Sequence, residues 1–253
     1  MEIRAARVVF EERHVVRTAG IHEAGKIYFT TFKGMVYGIN LDGSICWSAE
    51  LGSANASFKM ALDGNRFCVS DYATFCIDKN TGKILWKNEA FRKKNNCCLL
   101  CDEDSVYGGE CGGSMFCLDK SSGEVRWARG KDEWISNVAF WGHDRLLANH
   151  IHGKFYILDS RSGELLCTRE AKGKLYNAPV FENARMYVGD ADSVIDSKSG
   201  NMTCYELTPQ NDLKETFSVT VGGGVSTRAV IDGDRWNAVK SCDGPVVLFR
   251  AAS

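Results

Sequence analysis

The chain of 253 residues reads as an all-β protein, a single β-propeller built from short four-stranded blades. Three observations predict it. One is a text that returns: FCIDKNTGKILWK (Phe75 to Lys87), FCLDKSSGEVRWA (Phe116 to Ala128) and YILDSRSGELLCT (Tyr156 to Thr168). Another is its period. Trp47, Trp86, Trp127 and Cys167 stand 39, 41 and 40 residues apart, and a fixed spacing of about forty residues marks a repeat architecture. The third is the kind of periodicity present. Apolar runs are short, alternating and bounded by Gly, Asp, Asn and Ser, which is strand patterning, and none has the length of a helix.

Each repeat opens on an apolar run, such as FKMAL, CCLLC, NVAFW, APVF or TRAVI. A strand, a polar turn and a second strand follow: GKIYFTTFKGMVYGI, GNRFCVSDYATFCI, DSVYGGECGGSMFCL, DRLLANHIHGKFYIL and ARMYVGDADSVI. Next comes the recurring turn. Asp78, Asp119, Asp159 and Asp196 each stand four residues before a glycine, namely Gly82, Gly123, Gly163 and Gly200. The aspartate accepts backbone N–H bonds and the glycine supplies the positive φ that closes the hairpin. The tryptophan beyond it is a large apolar plug between neighbouring blades. Gly43 with Trp47 is the first copy, and in the fifth repeat Gly200 with Cys204–Tyr205 is expected to take this place.

A sixth strand pair, DRWNAVKSCDGPVVLF (Asp234 to Phe249), ends at LFRAAS without a fourth strand, while ARVVFEE (Ala6 to Glu12) has strand character. The expectation is therefore one domain over residues 1–253, with six blades. Residues 1–12 complete the last blade and so remove its exposed edges. Seven blades or an irregular ring are the alternatives.

The text FCIDKNTGKILW, FCLDKSSGEVRW and YILDSRSGELLC, with YGINLDGSICW one residue shorter, resembles the tryptophan-docking repeats of the PQQ-like, or BamB-like, quinoprotein-type β-propellers. As a repeat, the resemblance covers most of the chain. It implies the propeller fold, and a face presented to a protein partner, as BamB-like propellers commonly have. Quinoprotein alcohol dehydrogenases in this group cover their quinone with a disulfide between adjacent cysteines. Cys97 and Cys98 are adjacent, but they fall in an apolar first strand and read as structural thiols. The chain is also under half the usual size, and no calcium cluster or quinone-stacking tryptophan is recognisable. PQQ is not expected, and no cofactor is predicted.

Composition excludes several classes of partner. Lys and Arg number 31 against 32 Asp and Glu, so no global field draws nucleic acid or anionic lipid. Arg92, Lys93 and Lys94 form the only basic run, read as a solvated loop. The N-terminus is charged throughout, with neither the apolar core of a signal peptide nor a span for a bilayer. A cytoplasmic location with all eleven cysteines reduced follows as the expectation.

Aligning the repeats places polar residues at the start of strand one, where a propeller's central channel opens and ligand sites gather. Arg17, Ser57, Asn96, Asn137, Tyr176, Asn177, Thr227 and Arg228 stand there, with Thr18, Ser136 and Ser226 beside them. Arg17 and Arg228 are the candidates for holding an anion. A second group lies at the end of strand two: Lys33, Glu110, His150, His152 and Asp243, with Asp71 and Asp190 nearby. His150 and His152, two apart on a strand, point to one side and could serve as general base or as metal ligands. Glu110 could be a third ligand or orient a ring.

Two functions follow. The first is a binding module for a small molecule or a protein at the channel face, with Phe91, Trp134 and Trp141 as candidates for an exposed apolar rim. The second is an enzyme of lyase, hydrolase or isomerase type, acting on a small anionic substrate through His150 and His152. Nucleophile elbows, phosphate-binding loops and His-Glu-x-x-His signatures are missing from the sequence.

Overall fold

The computed structural model describes residues 16, 20–52, 59–70, 72–92, 96–182, 184–193, 198–225, 230–232, 235–238 and 247–250, with the backbone alone described at 59, 96–98, 111, 131–133 and from 230 onward. By internal packing the chain divides into two compact units, residues 1–108 with 117–126 and residues 109–116 with 127–253. All regular elements described are strands.

In the first unit, β1 (Ile21–Glu23), β2 (Lys26–Thr30), β3 (Met35–Asn40) and β4 (Ile45–Glu50) form an antiparallel sheet in chain order. Strands β5 (Lys59–Asp63), β6 (Arg66–Ser70), β7 (Thr74–Asp78) and β8 (Ile84–Asn88) repeat it, and β9 (Asn96–Cys101) opens the next repeat. The core between the first two sheets is aromatic: Tyr28, Trp47 and Phe67 meet with centroids 5.5–6.3 Å apart, surrounded by Val36, Val69, Phe75 and Ile77.

Two long elements follow, β10 (Ser105–Asp119) and β11 (Val125–Trp141). With β12 (Arg145–His150), β13 (Lys154–Asp159) and β14 (Leu165–Glu170) they join β9 in one six-stranded sheet. The strand, turn and strand expected over Asp104 to Leu118 are present inside β10: Lys120 N–H donates to Asp104 O (2.8 Å), so its two ends lie side by side, and the left-handed Gly112 (φ 72°) stands at the turn between them.

The second unit continues with β15 (Val180–Glu182), β16 (Arg185–Gly189), β17 (Gly200–Leu207) and β18 (Leu213–Val221), again a four-stranded meander. Strands β19 (Val230–Asp232), β20 (Arg235–Ala238) and β21 (Val247–Arg250) form a three-stranded sheet among the described residues. The expected closure by residues 1–12 lies outside the described residues.

The recurring turns have the predicted chemistry. The carboxylate Oδ1 of Asp78 accepts the amides of Asn80 (3.0 Å) and Thr81 (2.9 Å), and Asp119 and Asp159 do the same for Ser121 and Ser122, and for Arg161 and Ser162. Gly82, Gly123 and Gly163 are left-handed, at φ 73°, 77° and 70°. Their second task was not legible. The indole Nε1–H of Trp47 donates to Lys79 O (2.7 Å), that of Trp86 to Lys120 O (2.9 Å) and that of Trp127 to Ser160 O (3.0 Å). Each ring lies flush on the glycine of that same turn, where a Cβ would come within 2.6–2.7 Å of it. Each tryptophan is therefore fastened to the turn of the following repeat by one polar bond and one close backbone contact.

The fifth repeat departs from expectation. Gly200 does not close a hairpin between the third and fourth strands but begins β17. The actual turn is Thr208 to Asp212, in which Asn211 N–H donates to Thr208 O (3.0 Å) and Thr208 N–H to Asp212 O (2.8 Å). This matches the short first turn, where Gly43 N–H donates to Asn40 O (3.0 Å) and Asn40 N–H to Ser44 O (2.9 Å). Asn211 takes the left-handed place of Gly43, at φ 62°, as asparagine can. The ladder shifts register just before each docking residue: Gly38 pairs with Trp47, Cys76 with Trp86, Ile157 with Cys167 and Cys204 with Phe217. Phe217, not Cys204–Tyr205, is thus the fifth repeat's counterpart of the tryptophans.

Candidate functional site

The predicted polar cluster at the start of strand one is assembled in the second unit, and most of its bonds face inward. The segment Leu175–Tyr176–Asn177 joins β14 to β15, and side chains of the preceding repeat hold its three successive carbonyls. Ser136 Oγ lies 2.9 Å from Leu175 O, Asn137 Nδ2–H donates to Tyr176 O (3.1 Å) and Asn149 Nδ2–H donates to Asn177 O (2.9 Å). Ser136 Oγ also reaches Asn149 O (3.0 Å) and accepts from Asn149 Nδ2 (3.3 Å). A connector crossing the end of a sheet has no ladder partners, so side chains satisfy its carbonyls instead.

Three polar atoms of this cluster are left over. Asn149 Oδ1, Tyr176 OH and Asn177 Nδ2 are buried and have no hydrogen-bond partner among the described residues. Asn149 is wholly buried. Burial raises the Tyr176 phenol above its ordinary pKa, so the hydroxyl keeps its proton and can donate. Buried orphans of this kind each cost about 1–3 kcal/mol unless something outside the chain meets them. The set is one acceptor, one donor and one hydroxyl that does both.

Asn149 was missed in the sequence, although it stands in ANHIHGKF beside the histidines that drew attention. A signal was present. It occupies the fifth position of strand two, a column that otherwise reads Thr30, Ser70, Gly109 and Gly189. An amide among small residues has room to reach across to a connector. In the fifth repeat the connector's Val225 packs over the bare Gly189 instead.

The second candidate group is less convergent. His150 and His152 do lie together, with ring centroids 5.2 Å apart. His150 Nδ1 accepts the backbone N–H of His152 (3.1 Å). Trp134, about half exposed, continues the row at 6.5 Å from His152. The carboxylate of Glu110 folds back over Gly113 within its own strand and accepts Ser114 N–H (3.2 Å). Among the described residues no three His, Cys, Asp or Glu side chains gather in a way that would hold a metal ion.

Asp190, at the matching end of β16, is a buried carboxylate whose pKa is raised by desolvation. Asn201 partly offsets this, donating its N–H (2.8 Å) and Nδ2–H (3.0 Å) to Oδ1. Of the expected apolar rim, only Trp134 is exposed; Phe91 and Trp141 are buried at 8% and 4%. Trp141 packs across to the next sheet, against Phe181 of β15 at 5.2 Å. Arg17, Ser57, Thr227 and Arg228 lie outside the described residues, as does the side chain of Asn96.

Meandering four-stranded sheets, fastened by docked tryptophans at a fixed period, define a β-propeller. The comparisons agree. The family described as outer membrane protein assembly factor BamB matches residues 11–129, which bears out the resemblance carried by the repeats. Among solved structures, BamB from Moraxella catarrhalis is 16% identical over 95% of this chain and 74% of its own, with a TM-score of 0.69. The computationally designed Ika8 protein is 13% identical over 92% of this chain and 70% of its own (TM-score 0.78). A chain of the Mitotic Checkpoint Complex is 10% identical over 90% and 72% (TM-score 0.70). At these identities the likeness is one of fold. Among curated protein sequences none matches.

Proposed function

We propose that the chain is a non-catalytic binding module, and that its site is the Asn149, Tyr176 and Asn177 cluster. The observation that carries this reading is the set of three buried polar atoms without a partner among the described residues. The described residues of the cluster carry no charge, which suits an uncharged ligand, and one acceptor beside one donor complements an amide group. A small carboxamide and the main chain of a partner protein share that chemistry. The family description is that of an assembly factor and one neighbour comes from a multiprotein complex, which favours a partner's main chain. The catalytic alternative draws support from the adjacent imidazoles of His150 and His152 alone.

The test is a titration of the full chain, followed by NMR of the asparagine side-chain amides. N-methylacetamide is one probe and an N-acetylated, C-amidated tetrapeptide the other. Shifts at Asn149 and Asn177 that weaken in Tyr176→Phe support the site, and tighter binding of the peptide points to a protein partner. Unmoved signals with both probes, or a high-resolution structure in which water alone bridges the three atoms, would reject the reading.

A further inference from the structure

A different cluster, in the first unit, is made of thiols. Cys68 on β6 and Cys76 on β7 are direct cross-strand partners, and both are fully buried. Partners in an antiparallel pair have Cα atoms about 4.5–5.5 Å apart, within the span a disulfide bridges. Cys101 arrives on β9, which packs against β6, is only partly buried, and helps to raise the pKa of Cys68. Cys76 Sγ takes a long contact from Arg66 Nη1 (3.9 Å). The Cys68 thiol, together with Arg66 and Lys120, makes Cys76 more acidic than an ordinary cysteine. Three cysteines on packed neighbouring strands, one of them only partly buried and one beside a cation, are more than small apolar filling.

We infer that Cys68, Cys76 and Cys101 form a peroxide-oxidisable thiol site, in which Cys68 is always one end of the disulfide. Hydrogen peroxide is the oxidant. The Cys101 sulfur attacks one peroxide oxygen: the S–O bond forms, the O–O bond breaks, and hydroxide leaves, taking up the thiol proton as water. The Cys68 sulfur then attacks the Cys101 sulfenic sulfur: the S–S bond forms, the S–O bond breaks, and the departing hydroxide takes the Cys68 proton as a second water. Cys76 can next attack Cys68, exchanging one S–S bond for another and returning Cys101 as a thiol. This step needs no further oxidant.

The experiment treats the reduced full chain with hydrogen peroxide and reads titratable thiols, intact mass and a non-reduced peptide map. The expected result is a loss of two from the eleven thiols and of two hydrogens from the mass. The map should join the Cys68 peptide to that of Cys101 or Cys76. Cys101→Ser, at the partly buried position, should fold and slow disulfide formation by about tenfold or more. Three outcomes would overturn the inference: a map joining Cys97 to Cys98, oxidation confined to the exposed Cys46, or Cys101→Ser oxidising as fast as the parent.

Discussion

The indole of Trp86 rests on the backbone of Gly123, close enough that a Cβ there would lie 2.6 Å from ring atoms Cδ2 and Cε3. The same indole donates to Lys120 O at 2.9 Å, three residues before that glycine. The turn thus serves two partners at once. Its own hairpin needs the left-handed φ, and the preceding repeat needs a bare Cα.

Gly123→Ala should therefore cost more than an ordinary left-handed glycine substitution. Gly64 is also left-handed, at φ 56°, but nothing lies within 4 Å of its missing Cβ. Backbone strain alone predicts about 1 kcal/mol for Gly64→Ala, whereas strain plus displacement of a packed indole predicts about 3 kcal/mol or more for Gly123→Ala. Urea unfolding of the two variants checks this, and equal losses would refute the contact.

Cys167 occupies the tryptophan position of the fourth repeat, and the turn it meets is polar. Cys167 Sγ lies 3.5 Å from Asp212 Oδ1, Arg169 Nη2–H donates to both oxygens of Asp212 at 2.5 Å, and Arg145 reaches Asn211 Oδ1 at 3.0 Å. No bare glycine waits there, because Asn211 holds the left-handed position. Making the repeat regular with Cys167→Trp should destabilise by about 1–3 kcal/mol through overpacking. Trp127→Phe, which strands the Ser160 carbonyl, should cost a similar amount. Thermal unfolding monitored by circular dichroism compares them.

Asp119 and Asp190 should give opposite pH signatures. The Ser121 hydroxyl, Arg126 and the turn amides hold Asp119 well below the usual carboxylate range. Its ionised form therefore stabilises the fold above the unfolded pKa of about 4, and that contribution is lost as pH falls toward the folded value. Desolvation raises Asp190, so its contribution is present below about pH 4 and is lost as pH rises through its folded pKa. Relative to the parent, Asp119→Asn should lose ground as pH rises from about 2 to about 5, and Asp190→Asn should gain ground as pH rises from about 4 to about 7. Urea midpoints at the two ends of each window decide the signs.

Tyr176→Phe should leave stability within about 0.5 kcal/mol of the parent, since the hydroxyl has no partner among the described residues to lose. Asn149→Ala removes the bond to Asn177 O and should cost about 1–3 kcal/mol. A large loss in Tyr176→Phe would mean that the phenol has a structural partner after all.

The clamp at Leu175 to Asn177 shows how far the sequence reached. Period and turn chemistry brought Asn137, Tyr176 and Asn177 to the start of strand one, because alignment by a forty-residue repeat transfers position from one copy to the next. It could not say which atoms would be spent on connector carbonyls. That depends on a path through space, in which Asn149 and Asn177 meet across 28 residues. The same limit explains the fifth repeat. Asp196 and Gly200 reproduce the turn spacing, yet the hairpin formed at Thr208 to Asp212, because register is settled by strand pairing rather than by a local motif.

By itself the sequence determined the class of fold, the strands, the turn aspartates with their left-handed glycines, and the tryptophans as docking residues. All of these follow from interactions within one repeat, or from copying one repeat onto the next. Only the tertiary structure decided that the indoles need the same glycines, that Phe217 inherits the docking position, and that Asn149, Tyr176 and Asn177 keep polar atoms unsatisfied. Those outcomes depend on which backbone approaches which side chain across tens of residues, and such approaches are selected by packing, not by local propensity.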